Sequence, residues 1–363
     1  MNYLFLFLSL IVLGISTVVL LRKQRPLSLS ALLSVALVGL LSTAFVIIAS
    51  FIFGSDPFGI IHVLYIILTI SVPATAAIAL SISKGLQNRY KAILVCLLVL
   101  APVGIYATHI EPFWLRTDAH ILYSDIENSK IRVGVFSDLQ TTEIGDYEKN
   151  AIKEMIDNKP DILLIPGDFY HMPGSEFQKK KPEFVAAMKE LSEGIEHVFV
   201  VNGNTDTVSR LNELVKGTGV VLLDNQISTI EIDGSTVHVG GVTLFSDEKS
   251  QSEVAGELLN LESQDSITIL LSHKPDAIFL LPEDERIDLV VAGHTHGGQL
   301  SLPIVGPPLT LTKVPKNIAA GGLNTLNQQK IYVSTGVGRE RGQAPQFRFG
   351  VRPSIGVIDI EGN

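Results

Sequence analysis

Residues 289–299, with the sequence LVVAGHTHGGQ, combine a short apolar run with two histidines set among glycines. Leu289–Ala292 has the length and aliphatic composition of a buried strand. His294 and His296 stand two positions apart, so in an extended segment both rings point to the same side. Imidazole is the commonest protein ligand of metal ions. This segment therefore predicts a strand that ends in a metal site.

The same design occurs at four other places in the chain, where an apolar run is followed by a polar residue. The runs are 131–136, 162–166, 198–201 and 267–271, and the polar residues are Asp138, Asp168, Asn204 and His273. Amphipathic stretches predict helices at 147–158, 182–193, 207–216 and 252–262, and a hairpin is expected over 227–242 with its turn at Asp233-Gly234. Alternating strands and helices indicate an α/β domain. Because ligands of such sheets gather outside the carboxyl ends of the strands, we expect these polar residues to converge.

The chemistry of the polar residues supports a metal site. Carboxylates, an amide oxygen and imidazoles together suit borderline divalent ions such as Mn, Fe or Zn. Each residue alone has a simpler explanation, since an Asp after a strand is often a helix cap and a lone His is often a packed or surface group. Such explanations would have to coincide at all of these strand ends, which favours the metal site.

The first 108 residues are built for a different solvent. They contain six Lys or Arg and one acid, so the rest of the chain holds 22 basic and 36 acidic groups, a net charge of −14 against −9 for the whole. Four apolar stretches, at 4–21, 31–53, 60–83 and 92–108, are long enough to span a bilayer. We therefore expect an all-α anchor of four transmembrane helices over 1–108, an interfacial linker over 109–129, and a water-soluble domain over 130–363.

Charge also predicts topology and partners. The basic residues of the first part lie in two loops, after the first and third spans: Arg22, Lys23 and Arg25, then Lys84, Arg89 and Lys91. The positive-inside rule places both loops in the cytoplasm, and hence the soluble domain outside it, in a multi-pass protein of the cytoplasmic membrane. A domain of charge −14 is not expected to bind nucleic acid, because phosphate contacts need basic surface. A single cysteine, Cys96, excludes a disulfide framework.

The order of the motifs resembles the calcineurin-like metallophosphoesterase superfamily over roughly residues 130–363. The motifs are Asp138-x-Gln140, Gly167-Asp168, Gly203-Asn204-x-Asp206, His273 and Gly293-His294-x-His296. Three further runs, at 292–299, 334–338 and 348–353, resemble its membrane-associated bacterial branch. The resemblance implies a four-layer sandwich of two mixed β-sheets flanked by helices. It also implies two divalent metal ions bridged by Asp168 and attack of water on phosphorus.

The resemblance further assigns the remaining ligands. One metal would be held by Asp138, Gln140 and His296, and the other by Asn204, His273 and His294. Arg339, Arg341, Arg348 and Arg352 are candidate phosphate contacts because guanidinium pairs with phosphate bidentately, although surface salt bridges are the more frequent role of such residues.

Two positions depart from the pattern of the superfamily. Gln140 stands where the family usually has His, and its amide oxygen is a weaker, neutral ligand. Thr205 stands where the family usually has a His that is hydrogen-bonded to the following acid, here Asp206, and that assists the phosphoryl oxygens or the leaving group. Loss of a general acid costs about 10²–10⁴-fold in rate, least for good leaving groups. His171 is a candidate replacement, against the alternative that it is an ordinary loop histidine.

The sequence thus predicts a membrane-anchored, metal-dependent phosphoesterase. A phosphodiester or pyrophosphate, lipid-linked or from the cell envelope, is the expected substrate class, and membrane lipids are expected partners. The alternative is a degenerate member of the superfamily that binds metal or a partner with little turnover, motivated by Gln140 and Thr205. A transporter with an accessory domain would need polar residues in the spans, and these are scarce.

Overall fold

The computed structural model describes residues 57–82, 87–124, 130–263, 266–283 and 287–362, together with Ala44 and Ile48. The predicted span at 4–21 and almost all of the one at 31–53 lie outside these residues. The chain divides into two compact units, one of Met1–Ile110 with Glu340–Phe347, and the other of Glu111–Arg339 with Arg348–Asn363.

Among the residues that the structure describes, two helical segments are long and apolar enough to cross a membrane. They are Pro57–Ser81, of 25 residues, and Asn88–Phe113, of 26 residues, and they match the predicted spans at 60–83 and 92–108. The first consists of α1 (Pro57–Ile66), a π-helical turn (Ile67–Ser71) and α2 (Val72–Ile82). The second consists of α3 (Asn88–Leu98), α4 (Leu100–Ile105), a π-helical turn (Tyr106–Ile110) and a 3₁₀ turn (Glu111–Phe113).

Small side chains allow the helices of the first unit to approach closely. Ala76 and Ala79 of α2 are buried against Leu94 of α3. In the same unit the ring of Tyr65 stacks on Phe347 with centroids 5.0 Å apart.

The second unit contains two mixed six-stranded sheets. The first has the order β1-β12-β2-β3-β4-β5 and the second the order β10-β11-β9-β8-β7-β6. Their strands are β1 (Arg116–Ser124), β2 (Lys130–Val135), β3 (Ile162–Ile165), β4 (His197–Val200), β5 (Val221–Leu222), β6 (Gln226–Ile232), β7 (Ser235–Val242), β8 (Ser266–Ser272), β9 (Leu289–Ala292), β10 (Gly322–Leu326), β11 (Gln329–Val333) and β12 (Ser354–Gly362). The predicted hairpin is confirmed as β6 and β7, paired antiparallel.

Helices cover the outer faces of the two sheets. They are α5 (Asp146–Asp157), α6 (Gly174–Gly194), α7 (Val208–Val215), α8 (Glu248–Leu261) and α9 (Lys316–Ala319). Side chains close the first turns of two of them, since the Thr207 hydroxyl accepts from the amide of Arg210 and the Asp247 carboxylate from that of Ser250. Such caps satisfy amides that have no partner within the helix. The helices predicted at 147–158, 182–193, 207–216 and 252–262 correspond to α5, α6, α7 and α8.

The core has three apolar layers because successive side chains of a strand point to opposite faces. In β3, Leu163 and Ile165 face the helices α5 to α7, while Ile162 and Leu164 face the second sheet. In β8, Leu270 faces α8 and α9 while its neighbours face the first sheet. The domain is thus α/β, with two mixed sheets packed face to face and helices outside both, as predicted.

The strand β1 was not predicted from the sequence. It lies within residues 109–129, and its first four residues, RTDA, carry no aliphatic pattern. It is a strand because β12 pairs with it in parallel, while the other side of β12 pairs antiparallel with β2. A partner more than two hundred residues away leaves no local signal.

Candidate metal and active site

The loops that follow β2 and β3 interlock at the carboxyl edge of the first sheet. The amide of Asp138 donates to the carbonyl of Gly167 at 3.2 Å, and that of Gln140 to the carbonyl of Asp168 at 2.8 Å. Asp138, Gln140 and Asp168 have φ angles of 50°, 42° and 53°. Left-handed backbone is uncommon for residues other than glycine and is concentrated at functional sites. The left-handed backbone thus marks these three positions as candidates for a functional site.

Two glycines let the neighbouring loops reach these carboxylates. A Cβ on Gly203 would lie 2.0 Å from Asp168 Oδ1, and one on Gly293 would lie 2.0 Å from Ser137 Oγ. Any side chain at either position would therefore displace a carboxylate or its partner. The loops carrying Asn204 and His294 approach so closely only because these positions are glycine.

Acidic and imidazole groups from both sheets meet in the buried interior of the site. Ligand atoms of Asp138, Asp168 and His273 all lie within 4.8 Å of one another. His273 Nε2 is 3.7 Å from Asp168 Oδ2, and His296 Nε2 is 3.7 Å from Asp138 Oδ1. The amide of His294 donates to Asp138 Oδ2 at 3.1 Å. Gln140 contacts Asp168, and Asn204 contacts His273 and His294. The seven predicted ligands therefore lie in one connected group.

A triangle of acceptor atoms tests whether these residues fit a cation. His273 Nδ1 donates to the carbonyl oxygen of Pro166 at 2.7 Å, so Nε2 of the neutral ring carries a lone pair. That lone pair faces another acceptor, Asn204 Oδ1, at 2.9 Å. His294 Nδ1 lies 3.0 Å from the same oxygen and 3.1 Å from His273 Nε2. At most one hydrogen, on His294, can enter this triangle, so a cation is the natural partner of the remaining lone pairs, and the residues fit a metal.

Burial shifts the pKa values of the site residues so that the imidazoles stay neutral and the carboxyl groups ionise less readily. It lowers the pKa of His273 to about 4 and that of His294 to about 3. It raises the pKa of Asp168 to about 6 and, more strongly, that of Asp138, which Asp168 also raises by its charge. Neutral imidazole and closely spaced carboxylates are the forms that bind a divalent ion, whose charge would offset their desolvation.

Gln140 lies beside the carboxylate of Asp168, and its role as a metal ligand stays a prediction. Its Nε2 donates to Asp168 Oδ2 at 3.2 Å, and the side chain is fully buried. A neutral amide at this position adds no charge to the site.

Thr205 and Asp206 contact the same loops through other atoms. The amide of Thr205 donates to Asp168 Oδ1 at 2.8 Å. Asp206 accepts from the amide of Gly203 at 2.5 Å through Oδ1 and from that of Phe169 at 2.8 Å through Oδ2. Burial, followed by the charge of Asp168, raises the pKa of Asp206 to about 7. Asp206 thus ties the loop after β4 to the loop after β3, and its catalytic role stays a prediction.

His171 is half-buried at the end of the loop after β3. Its amide donates to the carbonyl of Thr141 at 2.9 Å, one residue beyond Gln140. This contact places the residue beside the site loops, and its role as a leaving-group acid remains a prediction.

Three of the four arginines proposed as phosphate contacts have other partners, and for Arg341 the role stays a prediction. Arg348 is fully buried, and its Nη2 donates to the carbonyls of Thr335 at 2.7 Å and Gly338 at 2.6 Å. Its Nη1 is 3.4 Å from the carbonyl of His296. The guanidinium of Arg339 lies over the Phe113 ring and that of Arg352 over the Trp114 ring.

Sequence reasoning missed the part played by Ser137, and it named Arg348 only as a candidate phosphate contact. Ser137 donates a hydrogen bond to Asp138 Oδ2, and Arg348 braces the loop after β11. The signal for Ser137 was its place between an apolar run and an aspartate. Arg348 had no such signal, because a buried arginine bonded to carbonyls looks like any surface arginine in a sequence.

Comparison with known proteins finds a matching family model and several relatives. Residues 131–298 match the family model of the calcineurin-like phosphoesterases. Phosphodiesterase YaeI of Escherichia coli K12 is 26% identical over 264 residues, covering 70% of this chain and 92% of that protein. The metallophosphoesterase YkuE of Bacillus subtilis 168 is 26% identical over 266 residues, covering 70% and 89%. The protein YpbG of the same strain is 28% identical over 229 residues, covering 60% and 80%.

Proposed function

The chain belongs to the calcineurin-like metallophosphoesterase superfamily, and we propose that it is a membrane-anchored enzyme that hydrolyses a phosphodiester or pyrophosphate bond of a lipid or cell-envelope molecule. That it is a metal-dependent phosphoesterase follows from the family and the fold. The substrate class, the two-metal site, the anchoring and the placement outside the cytoplasm are our proposal.

The observation that carries the proposal is the pair of facing acceptors His273 Nε2 and Asn204 Oδ1 beside two buried carboxylates. We assign one metal to Asp138, Gln140, Asp168 and His296, and the other to Asp168, Asn204, His273 and His294. Divalent ions bound there would neutralise phosphoryl oxygens and lower the pKa of water.

The protein itself contributes orientation and charge. The hydrogen bond to Pro166 fixes the tautomer of His273, and the amide of Thr205 holds one oxygen of Asp168. Asp206 fixes the loop of Asn204 against that of Asp168 through two amides. Positions held by several bonds in this way keep catalytic groups preorganised, which is where most stabilisation of a transition state arises.

Thr205 favours a substrate with a good leaving group. A threonine hydroxyl is a poor proton donor at neutral pH, so an alkoxide leaving group would gain no help from residue 205. A phosphate leaving from a pyrophosphate bond, or an acidic alcohol leaving from a diester, needs less protonation. The two apolar helices support a substrate that is itself held at a membrane.

The test is hydrolysis by the purified full-length protein in detergent, with Mn, Fe, Co or Zn supplied. We expect turnover of an aryl phosphodiester or a pyrophosphate, slower turnover of alkyl monoesters, and none by Asp168→Asn. If the protein hydrolyses no phosphate ester with any of these metals, the enzymatic proposal is wrong and a metal-binding scaffold replaces it.

A further inference from the structure

The segment that follows the metal motif presents large apolar side chains to solvent. Ile304 is fully exposed and Val305 is 70% exposed. Leu302, Leu309 and Leu311 are also exposed. We call residues 300–313 the apolar loop. Single apolar residues are common on protein surfaces, but a contiguous set marks a site of interaction with a protein, a ligand or a membrane.

The exposure does not come from a loose loop, because both ends are held. The amide of Ser301 donates to the carbonyl of Phe349 at 2.8 Å. At the other end, Asp276 accepts from the amide of Lys313 at 2.9 Å and from the hydroxyl of Thr312. Between them Pro307 packs against Gly298, where a Cβ would lie only 2.5 Å away. The loop is therefore a fixed projection of the domain.

Its tip is a tight turn in a costly conformation. Leu302 and Gly306 exchange two backbone hydrogen bonds, at 3.1 Å and 2.8 Å. Between them Ile304 has a φ of 72°. A β-branched residue rarely adopts the left-handed region, and residues held there cluster at functional sites. Here the strained turn holds Ile304 and Val305 at the outermost point.

The charges around the tip favour a lipid surface. No Asp or Glu occurs between Asp288 and Glu340, whereas Lys313 and Lys316 follow the tip along the chain. The acid that contacts the loop, Asp276, is engaged by Thr312 and the amide of Lys313. Both lysines are exposed. Apolar side chains with cations in the same segment are a pattern by which peripheral segments enter the boundary between headgroups and acyl chains of anionic bilayers. The described residues also include two helices apolar enough to cross a membrane, which would hold the protein at a bilayer.

We propose that the apolar loop inserts its tip, Ile304 and Val305, into the headgroup–acyl boundary of an anionic lipid bilayer. The inference goes beyond the proposed hydrolysis and does not depend on it. The loop follows directly on His294 and His296, so insertion would bring the entrance of the metal site to the lipid surface.

The test uses the full-length protein in nanodiscs of phosphatidylglycerol and phosphatidylcholine. Trp114 is the single tryptophan of the chain, so Trp114→Phe gives a background in which Ile304→Trp is the only reporter. The matched control is Leu261→Trp, which is exposed at the end of α8. Because α8 leads back to the amino end of β8, residue 261 lies at the edge of the sheet opposite His273.

We expect brominated phosphatidylcholine to reduce the emission of Ile304→Trp, which should also be blue-shifted, and to leave that of Leu261→Trp unchanged. Quenching of Ile304→Trp no stronger than that of the control overturns the proposal. Thermal unfolding establishes that each variant is folded, and Val305→Trp replaces Ile304→Trp if the latter is not. A failure of hydrolysis would leave this quenching result untouched, so the two proposals fail separately.

Discussion

The hydroxyl of Thr205 donates a hydrogen bond to the carbonyl oxygen of Tyr170, 2.7 Å away. The amide of the same residue donates to Asp168 Oδ1. Both polar groups of Thr205 are thus used to hold the loop after β4 on the loop after β3. A proton-donating side chain at position 205 would therefore extend from a backbone that contacts the carboxylate of Asp168.

Thr205→His should therefore restore a leaving-group acid. We expect it to raise the rate on alkyl phosphate esters by up to about 10²–10⁴-fold and to change the rate on aryl esters or pyrophosphates little. The control is Thr205→Val, which loses the bond to Tyr170 and adds no acid. Initial rates on a series of esters with increasing leaving-group pKa measure the effect, and an equal gain across the series would contradict the explanation.

Asp168→Asn should remove metal and activity together, because Asp168 contacts Gln140, Thr205 and His273 at the centre of the site. We expect a fall in kcat of more than about 100-fold, since even changes to groups behind metal ligands cost about 10–100-fold. Elemental analysis after dialysis measures metal content. Asp157→Asn, at an exposed residue of α5, is the matched control and should change neither quantity. Full metal content and rate in Asp168→Asn would refute the assignment of the bridge.

Gln140→His should tighten metal binding. Histidine tolerates the left-handed backbone of this position better than most residues do, so the change should not disturb the loop. We expect the dissociation constant of one metal to fall by about tenfold, equivalent to about 1.4 kcal/mol. Titration of the metal-free protein by calorimetry measures it. Two unchanged dissociation constants would show that residue 140 is not a ligand.

The pair between Arg132 and Asp359 predicts a pH dependence of stability. Arg132 donates to both carboxylate oxygens, at 2.7 Å and 3.0 Å, and this lowers the pKa of Asp359. A depressed pKa in the folded state stabilises above the unfolded value of about 4 and stops doing so as pH falls through the folded value. Asp359→Asn should thus lower the free energy of unfolding by up to about 1 kcal/mol at pH 7, because the pair is partly exposed.

As the pH falls below the folded-state pKa of Asp359, the wild type and Asp359→Asn should approach the same stability. Unfolding in denaturant at several pH values measures the difference. A difference that persists unchanged into acid would mean that the two residues contribute through packing and not through charge.

Topology is tested by fusions to the full chain. Alkaline phosphatase joined after residue 363 should be active, and a fluorescent protein at the same place should be dark, if the positive-inside rule holds. A fusion after residue 86, in a loop predicted to be cytoplasmic, should show the opposite pattern. Reversal of both results would place the catalytic domain in the cytoplasm.

The sequence predicted the parts of this structure that are encoded locally. Buried strands such as β3 and β9 are short aliphatic runs, and the side chains that follow them meet because parallel strands end at one edge. The pairing of β1 with β12 depends on contacts across more than two hundred residues. The support that Arg348 gives to the carbonyls of Thr335 and Gly338 is likewise invisible until the fold is known.

The place of β12 in the first sheet has a consequence for biosynthesis. β12 separates β1 from β2, although it is made after all of the other strands. At about 5–20 residues per second, the ribosome needs roughly 10–40 s to travel from β2 to β12. During that time β1 has no neighbour and the edge of β2 is open. A newly made chain must keep both from pairing with other nascent chains until β12 has been made.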